Sequence, residues 1–318
     1  MNTEAAVHER YSAASQAAEA ALCCPVSYDP KYLKAIPAEV IEKDYGCGDP
    51  SRYVRSGETV LDLGSGTGKI CFIAAQVVGP NGRVIGVDMT DAMLEVARRN
   101  APLVAANIGY ANVEFRKGRI QDLALDLELL HRELRAKPIA SLDAFLAAER
   151  LADELRQRTP LVSSDSVDVV VSNCVLNLVA PAAKRQLFAE IFRVLKPGGR
   201  AVISDIVSDV DVPAEMQTNA DLWSGCLSGA FREDKFPLAF AEAGFLVVRI
   251  LKREEQPWRV IEGIEFRSVT IEAIKNGADT SSLRTKSAAA LFTSPSRTDG
   301  LSFNANRGDS NGCGPGCC

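Results

Sequence analysis

The chain has 318 residues, 47% of them hydrophobic, enough to bury one large core domain or a domain with appended segments. A formal net charge of −5 and dispersed basic residues lack the positive footprint of a nucleic-acid or anionic-membrane binder, so a small-molecule substrate is expected, with no nucleic-acid or membrane partner. The opening MNTEAAVHERYSAASQ carries acids and polar residues where a secretory leader needs a basic start, and no run is apolar for long enough to span a bilayer; the expected location is cytoplasmic.

The expected class is α/β, because short, nearly continuous apolar runs alternate with helical patterns, as in a parallel sheet covered on both faces. Residues 1–54 read as a helical and loop segment that contributes Cys47, in the turn Tyr45-Gly-Cys-Gly48 just before the first strand, to the ligand cleft. Strands are expected at Thr59 to Leu63, Arg83 to Asp88, Val113 to Lys117, Val167 to Asn173 and Ala201 to Ile206. Helices are expected at Lys69 to Val78, at Asp91 to Asn100 with Thr90 as N-cap, and at Pro181 to Leu195, stopped by Lys196-Pro-Gly-Gly199.

Before the fourth strand, Leu123 to Arg158 is a charged, Leu- and Ala-rich insertion broken at Lys137 and Pro138, which predicts two amphipathic helices. It reads as a solvated helical pair, with a lid or docking surface as the alternative. Helical stretches follow at Pro213 to Cys226 and near Pro237 to Ala243, then Phe245 to Leu251 and Ile264 to Ile274 as an antiparallel edge pair. The main domain is thus expected over 55–275. Residues 276–318, rich in Ser, Thr, Asn and Gly, read as a disordered tail ending in Cys313, Cys317 and Cys318.

Val60-Leu-Asp-Leu-Gly-Ser-Gly-Thr-Gly68 ends an apolar strand and opens a helix, so a ligand can approach the backbone closely at a helix N-terminus. Dinucleotide-binding proteins share this design, with an acid at the end of the next strand, here Asp88. Asp62 in the leading strand has its own bland alternative, capping of the following turn.

Nine cysteines in a reducing compartment argue for metal, redox or nucleophile chemistry, or for ordinary buried thiols, rather than a disulfide framework. Cys174 follows Asn173 at a strand's carboxyl end, where doubly wound folds bind ligands. Cys71 lies in the first turn after the glycine loop, where the helix dipole favours thiolate, and Cys226 follows the fifth strand. Together with Cys47, four segments are expected to bring thiols to one side of the sheet. Converging sulfurs suit a trivalent metalloid; zinc competes, but neither His8 nor His131 is near these segments and paired zinc spacing is absent.

The form Val-Leu-Asp-Leu-Gly-x-Gly-x-Gly resembles the first motif of class I methyltransferases, a Rossmann-like fold using S-adenosylmethionine. That resemblance implies Asp62, Gly64, Gly66 and Gly68 beside the cofactor, Asp88 on its ribose, Met89 against adenine, and Ile120, Gln121 and Asn173 as further cofactor contacts. With Cys23-Cys24-Pro25, Tyr45-Gly-Cys-Gly48, Val87-Asp-Met-Thr90, Ser172-Asn-Cys-Val-Leu-Asn-Leu178 and Leu222-Trp-Ser-Gly-Cys226 added, the chain to about Ile274 is similar to arsenite methyltransferases. This implies As(III) held by Cys174 and Cys226 with Cys47, and Cys47 and Cys71 as catalytic thiols for binding or redox. A cellular thiol reductant, thioredoxin or glutathione, and a monomeric enzyme are expected alongside. Cys23, Cys24 and the tail cysteines suit capture of metalloid. A methyltransferase for carbon, oxygen or selenium, and a non-catalytic metalloid-binding protein, are the alternative readings.

Overall fold

A computed structural model describes residues 3–17, 19, 22, 26–43 and 45–277. Cys23, Cys24 and the expected tail from residue 278, with Cys313, Cys317 and Cys318, lie outside the described residues. The N-terminal segment holds α1 (Thr3–Ala14) and the short α2 (Pro30–Leu33) and α3 (Ala38–Glu42). Then β1 (Thr59–Leu63), α4 (Lys69–Val78), β2 (Arg83–Asp88), α5 (Asp91–Ile108) and β3 (Val113–Lys117) alternate, followed by α6 (Leu127–Ala136) and α7 (Leu142–Arg158). The remainder runs β4 (Val167–Asn173), α8 (Pro181–Val194), β5 (Leu195–Ser208), α9 (Ala214–Gln217), α10 (Ala220–Ser224), β6 (Phe231–Arg232), α11 (Lys235–Glu242), β7 (Val247–Arg253), β8 (Arg259–Ile261) and β9 (Ile264–Ile274).

The sheet order is β3-β2-β1-β4-β5-β9-β7, with β6 beside β5 and β8 beside β9. The first five strands pair in parallel, and β9 runs antiparallel to both β5 and β7. Successive residues point to opposite faces, and both faces are buried. Leu61, Leu63, Val87 and Val170 pack toward Leu187, Ile191 and Phe240, whereas Val60, Val84, Val169 and Val171 pack toward Ile70, Phe72, Leu94 and Ala97. Among the described residues no helix is long and apolar enough to cross a membrane.

Differences from expectation have local causes. α5 runs past Asn100 and through Pro102 to Ile108, because the added turns bury Val104 and end at Gly109 (φ 87°). Lys196-Pro-Gly-Gly199 stops α8 but belongs to β5: Gly198 N–H donates to the Lys275 carbonyl at 2.9 Å and Lys275 N–H to that of Gly199 at 2.8 Å. The expected helix from Pro213 to Cys226 is two, since the Asn219 side chain accepts from the amides of Asp221 and Leu222 and restarts it. The insertion forms the expected pair, α6 capped by Asp126 and α7 by Ser141, with Ala152 the buried residue of α7.

Candidate active site

At the carboxyl ends of β1 and β2 the chain makes a cleft with a cavity of about 190 Å³ that opens to solvent. Its floor is the loop after β1, where Gly64 and Gly66 adopt φ of 69° and 52°. A side chain at Gly64 would meet Val175 Cγ1 at 2.4 Å, so the loop rests on the residue next to Cys174. Asp88 ties loop to strand: one carboxylate oxygen accepts from Gly66 N–H at 2.9 Å, the other from Thr90 N–H at 2.8 Å. Burial raises the Asp88 carboxyl, opposed by these hydrogen bonds. Asp62, Met89, Ile120 and Gln121 line the walls, and the buried Ser65 hydroxyl, also on the cleft, has no hydrogen-bond partner among the described residues.

Gly68 takes another part. It is the N-cap of α4 with φ 95°, and a Cβ there would meet Phe115 Cζ at 2.7 Å, so it packs helix on strand and does not line the cleft.

Three thiols gather at the other end. Cys47, Cys174 and Cys226 share one buried cluster with Ile206, Met216 and Phe266. Cys174 lines the cleft, and its sulfur, that of Cys47 and an Asp205 carboxylate oxygen lie within 4.8 Å of one another. Cys226 Sγ donates to the Cys174 carbonyl at 2.8 Å. Left-handed backbone is uncommon for cysteine, yet Cys174 and Cys226 hold φ of 63° and 61°. The Cys47 and Cys174 sulfurs thus offer a soft centre two neighbouring ligands, with Cys226 held beside them through the Cys174 carbonyl.

Cys71 does not join them, which corrects the expectation of four converging thiols. It is fully buried in the cluster on α4, packed over Gly86 of β2, and its thiol donates to Asp62 Oδ2 at 3.2 Å. The first turn of α4 points this side chain into the sheet rather than up toward the cleft. Asn173 is also reassigned. It borders the cleft, but its amide oxygen accepts from the N–H groups of Cys47 and Gly48 at 2.9 and 3.0 Å, while its nitrogen donates to the Gly48 carbonyl at 2.8 Å. Asn173 therefore holds the Cys47 turn. A Cβ at Gly46 would overlap its amide at 2.1 Å, and one at Gly48 would meet Ser204 Oγ at 2.5 Å, so the glycines flanking Cys47 let the turn sit this close.

The sequence reading missed Asp205, Asn177, Lys184 and Tyr11. The buried Asp205 accepts from the amides of Leu176 at 2.9 Å and Ile206 at 2.8 Å and from Asn177 Nδ2 at 2.9 Å, clamping the turn after Cys174. Burial pushes its carboxyl up to about 6. Asn177 Nδ2 also donates to the Cys226 carbonyl at 3.3 Å, joining the two thiol turns. The Lys184 ammonium, pushed down to about 8 by burial and partly restored by Asp205 and Cys226, donates to the Gly229 carbonyl at 2.5 Å. Tyr11 reaches Cys226 Sγ at 3.9 Å from the N-terminal helix. Asn177 stood in a motif already singled out and Asp205 in the fifth expected strand; Tyr11 carried no signal.

Comparison with known proteins places this geometry. Residues 54–244 match the family described as methyltransferase domain. The chain is 37% identical over 263 residues to an arsenite methyltransferase from Halobacterium salinarum, covering 80% of this chain and 56% of the relative. It is 36% identical to one from Aquipseudomonas alcaligenes, covering 74% and 58%. The chain thus spans little more than half the length of the curated relatives it matches. A solved arsenic(III) S-adenosylmethionine methyltransferase from Chlamydomonas reinhardtii is similar at 31% identity and a TM-score of 0.62, over 78% of this chain and 74% of that one.

Proposed function

We propose, since the chain belongs to the arsenite methyltransferase family of methyltransferase-domain proteins, that it transfers methyl groups from S-adenosylmethionine to trivalent arsenic presented as a thiol adduct. The observation that carries this is the buried cluster of Cys47, Cys174 and Cys226, from which Cys174 lines the same cleft as the glycine loop and Asp88. Residues 55–275 are assigned to the methyltransferase domain and 1–54 to the segment that brings Cys47.

The donor end fits the cofactor. Gly64 and Gly66 leave backbone exposed, Asp88 offers a carboxylate for ribose hydroxyls, Met89 and Ile120 offer apolar walls for adenine, and the unpartnered Ser65 hydroxyl gains a partner. When bound, S-adenosylmethionine supplies an electrophilic methyl carbon on a sulfonium. The chain's own task is to place the acceptor and exclude water. Val175 packs on Gly64 and Cys174 precedes it, so the thiol end adjoins the loop assigned to the methionine portion.

Each As–S bond to Cys47, Cys174 or Cys226 forms as the cysteine proton passes to a small thiol displaced from the adduct, so binding needs no separate base. The arsenic lone pair then makes the As–C bond while the methyl–sulfur bond breaks and its electron pair stays on sulfur. Arsenic passes formally from trivalent to pentavalent. Two thiols returning it to the trivalent state become a disulfide, which a cellular reductant, thioredoxin or glutathione, reopens. A monomer working in the cytoplasm in arsenic detoxification completes this reading.

The test is arsenic speciation over time with purified protein, arsenite, S-adenosylmethionine and a thiol. Mono- and dimethylated arsenic is expected. Stoichiometric arsenite binding without methylated product would instead make the protein a metalloid buffer.

A further inference from the structure

The helix α1 supplies a wall of the thiol site that no motif announced. Thr3, Glu4 and Val7 line one part of the cleft, and Tyr11 lines it further along the same helix. The helix is tied down along its length. Arg119 Nη2 donates to Glu4 Oε1 at 2.7 Å, and Arg10 Nη1 donates to the Asp221 carbonyl at 2.7 Å and to Ser224 Oγ at 3.0 Å, on the helix leading into Cys226. The Tyr11 ring stands edge-on to Tyr45 at 6.2 Å, and the Tyr45 hydroxyl donates to the Ala14 carbonyl at 3.0 Å. The last turn of α1 is therefore anchored two residues before Cys47, while its middle is anchored two residues before Cys226.

The Tyr11 hydroxyl lies 3.9 Å from Cys226 Sγ. Cys226 has one thiol hydrogen, directed to the Cys174 carbonyl at 2.8 Å, so tyrosine is the donor across this contact and sulfur the acceptor. Burial, and then the electrostatic influence of Cys226 and Cys174, hold the phenol well above its ordinary value, so it remains a donor. A donor retained in this way favours the sulfur in the form that bonds arsenic.

We propose that Tyr11 is a positioning and specificity residue of the arsenic site, its hydroxyl steadying the Cys226 sulfur and its ring limiting how bulky an arsenical the thiols accept. The proposal rests on the function assigned above, and it divides the residue into separable parts. The hydroxyl acts on arsenite affinity, through its hydrogen bond to the Cys226 sulfur. The ring acts on the order of substrates, since an arsenical that already carries a methyl group needs room that the ring occupies.

Tyr11→Phe removes the hydroxyl alone; Tyr11→Leu removes the aromatic wall while keeping α1 packed. Calorimetric titration with arsenite is expected to show about tenfold weaker binding by Tyr11→Phe, with an unchanged melting temperature. Speciation of products is expected to show that Tyr11→Leu raises the rate with monomethylarsenite relative to arsenite by about tenfold, whereas Tyr11→Phe leaves that ratio unchanged. Wild-type arsenite affinity in Tyr11→Phe overturns the hydroxyl's part, and an unchanged substrate ratio in Tyr11→Leu overturns the ring's part. If the unsubstituted protein binds arsenite but makes no methylated product, methyl transfer and the ring's part fall together while the titration still decides the hydroxyl. Absence of arsenite binding by the unsubstituted protein removes both readings.

Discussion

Cys226 donates its thiol hydrogen to the carbonyl of Cys174 over 2.8 Å, and both residues hold left-handed backbone. Strain of this kind costs about 1–3 kcal/mol per residue and persists where neighbours over-determine it. Here the neighbours are Asp205 and Asn177, which between them bond the turn after Cys174 and the carbonyl of Cys226. Replacing Cys47, Cys174 or Cys226 singly by Ser removes one soft ligand while keeping the shape. Each variant is expected to lose arsenite methylation by about 10² or more, the scale of a misplaced reacting centre, with cofactor binding retained. Rates near wild type in all three would sink the assignment of the arsenic ligands.

Cys71→Ser is the contrasting case. A serine hydroxyl in the buried position on α4 still donates to Asp62, which now receives the Cys71 thiol at 3.2 Å. Arsenite methylation is expected within about threefold of wild type, and stability lower by about 1 kcal/mol in chemical denaturation, the usual scale for a buried polar change. A collapse of activity at unchanged stability would return Cys71 to the thiol chemistry.

The contrast between these cysteines marks how far the sequence reached. Apolar runs and turn residues located β1 to β4 and β9 at their observed limits: β1, β2, β4 and β9 are mostly buried, and β3 buries Phe115 and stops at Gly118. β6 and β8, of two and three residues, are too short to carry a period. Within the site, the glycine loop and Asp88 were legible because their chemistry is local in the chain. Cys71 was misplaced because proximity to that loop says nothing about which side of α4 faces the sheet. Tyr11 was invisible because its partner lies 215 residues away.

Gly64→Ala tests the joint between donor and acceptor ends. The added methyl would sit 2.4 Å from Val175 Cγ1 at a position with φ 69°, so either the loop or the Cys174 turn must move. A loss of about 1–3 kcal/mol is expected from strain and overpacking together. Affinities for S-adenosylmethionine and for arsenite are both expected to fall. A variant that loses cofactor affinity alone would show that the two ends are uncoupled.

Asn173→Ala addresses the other thiol turn. It removes the acceptor for the amides of Cys47 and Gly48, and leaves two buried donors without their partner at about 1–3 kcal/mol each. Arsenite affinity is expected to fall more than tenfold, and cofactor affinity by less than about threefold, since the amide serves the Cys47 turn. The reverse order in paired calorimetric titrations would restore Asn173 to the cofactor.

Acidity should act through Asp205. Its carboxyl is raised from the ordinary 3.8 to about 6, mainly by burial. Between these two values the folded chain holds a proton that the unfolded chain has released, so stability falls as pH rises through the window and is greatest below it. The change is on the order of 3 kcal/mol across the full window. Asp205→Asn abolishes this titration, so the wild-type protein is expected to gain stability relative to the variant as pH falls from 7 to about 4. Function should move the other way. A proton on Asp205 occupies an oxygen that accepts from Leu176, Asn177 or Ile206, which loosens the turn that presents Cys174. Wild-type methyl transfer is therefore expected to decline below about pH 6 while wild type gains stability over Asp205→Asn, a divergence that loss of structure cannot produce. Melting curves of both proteins and initial rates of the wild type decide it; activity falling on acidification with no gain in melting temperature over Asp205→Asn would show that Asp205 does not govern the turn.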